Sequence, residues 1–267
     1  MIKSRMEKNI WVRLQKENID ILLRNRGFRF TDLFFPYTSG KIGPYYIKSE
    51  AVEKNPYDYN RAIWSLTAVI KDSLGERDDY VISGGESRDW VFSIPSAFVL
   101  FKPHARLYKD RRDIETDISG RKVVHVADLN NEGSSLRDYW IPTIRKNNGK
   151  IENVFFYVER MEEGVDVVKE LGLESKAVIY MDDFSWEHLR KEKIMGEDVD
   201  KNIKEWREDR HRWAVNMLRT EEGFAEAVRL LQGNERDREK MHKIIRVGYP
   251  EIQEEMKKRL EKCGITI

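Results

Sequence analysis

Between Tyr80 and Met181 short apolar runs alternate with amphipathic stretches, and this alternation limits the possible folds more than any other feature of the chain. Strands are predicted at 80–83, 105–108, 122–127, 153–159 and 177–181, with helices at 90–100, 134–147 and 164–171. Such a pattern predicts an α/β fold with a parallel sheet and right-handed crossovers. Ligands of open parallel sheets bind beyond the carboxyl ends of the strands. Those ends here carry the Gly84/Gly85 turn, the Tyr108 loop, the Asp128 turn and the Glu159-Arg160 pair, so the candidate motifs converge on one edge.

The flanks read differently. Ile10, Trp11, Leu14, Ile19, Leu22 and Leu23 form a helical stripe over 9–26 that Gly27 can close. Residues 28–47 read as short strands and turns, and 59–74 as a helix with Ile63, Leu66, Val69, Ile70 and Leu74 on one face. From 185 onward the pattern is helical only. Ile203, Trp206, Trp213, Met217 and Leu218 make one stripe, Thr220 reads as an N-cap, and Pro250 and Gly264 bracket a last helix. The expected organisation is an α/β domain over 1–184 and an all-helical extension over 185–267.

Charge and cysteine content narrow the setting. Lys plus Arg (48) nearly cancels Asp plus Glu (47), which points away from nucleic acid and from an anionic membrane. The single Cys263 excludes an internal disulfide and fits a reducing compartment. No apolar run is long enough to span a bilayer, and residues 1–8 lack the apolar core of a signal peptide. A cytoplasmic location is expected.

The sharpest chemical signal lies in 122–135, Lys-Val-Val-His-Val-Ala-Asp-Leu-Asn-Asn-Glu-Gly-Ser-Ser. An apolar strand ends in Asp128, a polar turn with Gly133 follows, and Ser134 and Ser135 open a helix. Amides at such a turn can hold a phosphate, and a carboxylate at the strand end can take ribose hydroxyls. Plainer readings stand beside these. Asp128 could only cap the turn, one of the two serines is expected to cap the helix, and Gly84 and Gly85 could only make a tight turn. Arg111 and Arg112 could belong to a solvated loop, and Arg160 could pair with Glu159 or Glu163. His125 reads as a core or interface residue and not as a metal ligand, since no other histidine stands at ligand spacing.

Five motifs in order resemble the orotate branch of the type I phosphoribosyltransferases over the first 184 residues. Residues 37–46 look like its "SG…S-P-Y-Y" segment, and 83–90 like its pyrophosphate loop. Residues 108–113 stand where the family has an R-K-x-x-K-D catalytic loop, 128–135 match its phosphoribosyl-pyrophosphate (PRPP) turn, and 158–164 resemble its "D-R-x-E-G" segment. The resemblance implies a parallel-sheet core with N-terminal hood elements and a flexible loop, usually in a homodimer whose neighbouring subunit offers the loop in trans. It implies transfer of phosphoribose from PRPP to a pyrimidine-type base with release of pyrophosphate, Mg²⁺ arriving with PRPP. By the same resemblance Arg112 and Asp128 would be catalytic. Gly85, Arg88, Lys109, Arg111, Asn131, Glu132, Gly133, Ser134 and Ser135 would bind PRPP or its phosphates, and Lys41, Tyr46 and Arg160 the base.

The departures from the pattern bear on activity. Ala127 stands where the first of two adjacent acids is usual, Asn131 where a Thr is, and Glu132 where small residues leave the amides open. Arg88 and Arg112 replace lysines; they keep charge but donate protons poorly. Ile114 replaces a His, and Pro142 predicts a kink in the following helix. A binder of PRPP or a nucleotide without turnover, acting as a sensor or regulator, is the first alternative. An interaction protein working through its helical extension is the second.

Overall fold

The computed structural model describes residues 8–75, 79–110 and 114–265. The chain forms two compact units, Met1–Gly27 with Lys48–Leu189, and Phe28–Ile47 with Arg190–Ile267. These units cut across a division at residue 184, because the segment 28–47 packs with the C-terminal helices.

The first unit is built on a parallel sheet. Its strands are β3 (Val81–Gly85), β4 (His104–Leu107), β5 (Lys122–Asn130), β6 (Lys150–Glu159) and β7 (Glu174–Tyr180), in the order β4-β3-β5-β6-β7. The strands are mostly buried, which explains their near-continuous apolar runs. Between them lie α3 (Arg88–Val99), α4 (Ile141–Lys146) and α5 (Gly164–Glu170), and α6 (Asp183–Lys191) follows β7. Ahead of the sheet come α1 (Lys8–Arg24), a 3-10 turn Ser49–Lys54 and α2 (Pro56–Leu74). On one sheet face Val123, Ala127, Val154, Phe156 and Ala177 pack with Leu136, Trp140, Ile144 and Val168 from α4, α5 and the turn before α4. The helices α1, α2 and α3 also pack on the sheet, and Phe92 of α3 stacks on Tyr157 of β6 with centroids 4.6 Å apart.

Strand ends run past their apolar cores. β5 continues to Asn130, which pairs with Glu159, and β6 begins at Lys150 opposite Lys122. The backbone ladder recruits polar residues there because every amide in the sheet needs a partner. The expected kink at Pro142 takes a specific form. Residues 136–140 make a wide π turn in which the Ile141 amide donates back to Leu136 O. That extra width accommodates a residue without an N–H one position later. The expected serine cap is corrected, because Ser134 is already helical and the Ser135 hydroxyl makes no capping bond.

In the second unit β1 (Phe28–Pro36) and β2 (Ile42–Ile47) form an antiparallel hairpin with an irregularity between Phe30 and Phe35. Against it pack α7 (Glu197–Glu208), α8 (Arg210–Arg219), α9 (Glu221–Leu231) and α10 (Glu235–Lys243), with α11 (Gln253–Lys262) closing the chain. Tyr45 meets Trp206 edge-on at 5.3 Å, and Asn202 Nδ2 donates to Asp32 O at 2.9 Å. The single stripe read through Trp206 and Trp213 is two helices. Asp209 breaks it by leaving the helical conformation and accepting the Arg212 amide at 2.9 Å. Thr220 caps α9 as its sequence predicts, through a 2.9 Å bond from Gly223 N. Among the described residues no helix is long and apolar enough to cross a membrane.

Candidate functional site

The sheet order contains one reversal. The chain passes from β3 out to β4 and then returns to the far side of β3 with β5. A topological switch point therefore lies between β3 and β5, where a doubly wound sheet opens a crevice for ligands. The two strands pair only from Val81 opposite Val123 to Ser83 opposite His125. Beyond that point they part, and both backbones reach the crevice with donors the ladder no longer uses.

Asp89, in the first turn of α3, spans the opening. Its Oδ2 accepts the Gly85 amide at 3.1 Å and its Oδ1 the Asp128 amide at 3.1 Å. One carboxylate thus ties the end of β3 to the end of β5. His125 stands behind it with Nε2 3.7 Å from Asp89 Oδ2 and Nδ1 3.0 Å from Ser83 Oγ. The core reading of His125 holds, as it is fully buried.

Asp128 is 8% exposed and accepts a 2.7 Å bond from Ser49 Oγ. Burial, then the neighbouring Asp89 carboxylate, pushes the Asp128 carboxyl well above the ordinary carboxylate range, while Arg88 and Ser49 pull it back. Ala127, one residue earlier, points to the opposite face and joins the apolar cluster with Leu136 and Trp140. Trp140 also fills the space beside Gly85, where any Cβ would overlap its indole. Gly85 and Trp140 are therefore one packing solution, and Ala127 lies in the same apolar cluster. An acid at 127 would have to enter an apolar layer.

The turn after β5 keeps its backbone more open. Asn131, Glu132 and Gly133 are half-buried and Ser134 is exposed. Gly133 has φ +66, and its added Cβ would come within 2.8 Å of Val167. The turn is held from the next strand. Arg160 N donates to Asn130 O at 3.1 Å, Gly164 N to Asn131 O at 2.8 Å, and Asn130 Nδ2 to Glu159 Oε2 at 2.7 Å. Burial raises the Glu159 carboxyl to about 7 against the pull of Asn130 and the Met161 amide. The Arg160 side chain is buried and pairs with Glu162 at 2.8 Å.

Gly85, Arg88, Asp128, 131–135 and Arg160 thus share the carboxyl edge of the sheet, as expected from their order. Lys109 follows β4, its amide held by Glu86 Oε1 at 2.6 Å and its ammonium 5.5 Å above the Tyr139 ring. Arg111 and Arg112 lie outside the described residues. Lys41 and Tyr46 belong to the second unit, where Lys41 Nζ donates to Gly248 O at 3.1 Å and Tyr46 packs against Phe35. Sequence reading gave no role to Ser49, Asp89 or Trp140. Only Asp89 left a signal, an acid in the first turn of the helix that follows the glycines.

No protein-family model matches the chain. It is similar to the orotate phosphoribosyltransferase of Sulfolobus acidocaldarius, with 26% identity over 145 residues, 52% of this chain and 71% of that one. It is also similar to the enzyme of that name from Staphylothermus marinus, with 29% identity over 162 residues, 57% of this chain and 75% of the relative. Among solved structures, orotate phosphoribosyltransferase from Aeropyrum pernix superposes with a TM-score of 0.55 at 21% identity, covering 66% of this chain and 99% of that chain. Leishmania donovani UMP synthase superposes with a TM-score of 0.62 at 18% identity, covering 72% of this chain and 42% of that one. The chain thus has the type I phosphoribosyltransferase fold and is orotate phosphoribosyltransferase-like in sequence.

Proposed function

We propose that this chain transfers phosphoribose from PRPP to a pyrimidine-type base, with release of pyrophosphate. The observation that carries the reading is the meeting of Asp128, the β3–α3 turn and the 131–135 turn at the switch point of a parallel sheet. A base nitrogen would attack C1′ of the ribose as the C1′–oxygen bond to diphosphate breaks. Positive charge then develops on the ribose, and negative charge on the leaving group. Asp128 supplies the carboxylate for the ribose, and the amides of 131–135 a cradle for the 5′-phosphate. Arg88 and Lys109 supply cations for the diphosphate, joined by Arg111 and Arg112 on the family pattern. Arg160, paired with Glu162, is proposed for the base.

Among the described residues no group of three or more His, Cys, Asp or Glu could hold a metal ion. Mg²⁺ is therefore proposed to enter on the diphosphate of PRPP, whose charge it would neutralise. A homodimer is proposed as well, and the exposed aromatics Tyr57, Trp64, Phe98 and Phe101 on α2 and at the end of α3 support it.

The test is a melting curve with and without PRPP and Mg²⁺, on wild type and Asp128→Asn, followed by an assay for loss of free orotate. Saturating PRPP should raise wild-type stability by about 2–4 kcal/mol, with turnover, and do neither in the variant. A shift without turnover would favour a binding protein, the reading that the apolar setting of Ala127 supports. Absence of any shift would overturn both.

A further inference from the structure

The turn after β3 and the first turn of α3 each place a carboxylate on a backbone donor. Asp89 Oδ2 occupies the Gly85 amide, and Glu86 Oε1 occupies the Lys109 amide at 2.6 Å. An amide has one hydrogen, so a carboxylate seated on it keeps a phosphate oxygen away. The two acids differ in freedom. Asp89 is buried and also holds Asp128 N, which makes it a fixed brace. Glu86 is half-buried on the turn and makes its bond across to the loop after β4. The Lys109 ammonium meanwhile lies 5.5 and 6.0 Å from the ring centres of Tyr139 and Trp140. Both the amide and the side chain of a cation proposed for the diphosphate are thus engaged inside the protein.

We infer that Glu86 is an internal competitor for the diphosphate: its carboxylate holds the Lys109 amide in the resting protein and must leave it when a diphosphate binds. The inference rests on the phosphoribosyl reading of this site and adds a ligand preference to it. With Glu86 in place the site favours a sugar bearing only a 5′-phosphate, such as a nucleoside 5′-monophosphate, over a diphosphate. Among the described residues no side chain locks the 131–135 amides in this way, so a 5′-phosphate does not meet this competition.

Calorimetric titration of the full chain with UMP, with Mg²⁺-pyrophosphate and with Mg²⁺-PRPP tests this on wild type, Glu86→Gln and Glu86→Ala. Gln keeps an acceptor without the charge, and Ala removes both. Pyrophosphate and PRPP should bind about tenfold more tightly to Glu86→Ala, with a smaller gain in Glu86→Gln and UMP within about twofold throughout. Unchanged or weaker pyrophosphate binding by Glu86→Ala, with UMP bound by both proteins, overturns the inference and leaves the site reading standing. An equal gain for UMP and pyrophosphate overturns it too, since Glu86 would then act as a general charge. Failure of all three ligands to bind any of the proteins overturns the site reading and the inference together.

Discussion

The turn after β3 and the turn after β5 both lead from a buried strand into a helix, and both contain glycine and a glutamate. They treat their backbone donors in opposite ways. The first is closed by its carboxylates, with Asp89 seated on the Gly85 amide, Glu86 reaching across to the Lys109 amide after β4, and Trp140 packed beside Gly85. The second is held from outside, by Arg160, Gly164 and Glu159, while its own residues stay half-buried or exposed. The difference teaches that a phosphate-turn sequence does not by itself say whether the turn is free to take an anion. That depends on which neighbouring side chains have already taken the donors.

The largest expected effect attacks the packing beneath both turns. Ala127→Asp would restore the second acid of the family pattern but place it against Leu136 and Trp140. Chemical denaturation should show a loss of about 3–5 kcal/mol, the cost of a buried unpaired carboxylate. A variant as stable as wild type would mean that Trp140 yields and that the acid's place is still available.

Next comes the support of the second turn. Burial holds Glu159 at about 7 when folded, against an ordinary value of 4.5. A raised acid stabilises the fold fully below its unfolded value, and that contribution is lost as pH rises through about 7. Glu159→Gln should therefore melt much like wild type near pH 4. Above pH 8 it should gain on the order of 2–3 kcal/mol over wild type. Asn130 can accommodate the amide, because its Oδ1 is buried without a hydrogen-bond partner among the described residues. A gain independent of pH would disprove the titration argument.

A smaller effect isolates the turn itself. Gly133→Ala must hold φ +66 and press on Val167, and should cost about 1–2 kcal/mol. It should also weaken UMP binding, since the amides would shift. If UMP affinity is untouched, the 5′-phosphate is not held there.

The smallest effect reads the charge on the open turn. Glu132 is half-buried and screened by solvent, so Glu132→Gln should tighten UMP only about two- to fourfold, with the gain shrinking as salt is added. A gain as large as that expected for Glu86→Ala with pyrophosphate would erase the contrast between the two turns.

Much of the fold was legible because its signals are local. Apolar runs such as Val123–Val126 and the amphipathic stripe of Ile63, Leu66 and Val69 state strand and helix by period alone. Thr220 announced its cap for the same reason. The failures lie where backbone conformation decides and the apolar period does not register it. The stripe through Trp206 and Trp213 keeps one face, yet Asp209 folds it into two helices by supplying a cap. The serines after Gly133 look like caps, yet both already lie in the helical segment that runs into the wide turn over Leu136–Trp140.

The candidate site divides in the same manner. From the sequence alone came the strand–helix alternation, the edge on which the motifs meet, and Asp128 at the end of a buried strand, because each depends on residue order and spacing. Only the tertiary structure decided that Asp89 joins β3 to β5, that Ser49 reaches Asp128, and that Trp140 fills the space beside Gly85 within the apolar cluster that holds Ala127. Those contacts join segments far apart in the chain. Their energies come from burial and from which donor meets which acceptor, and neither exists until the chain has folded.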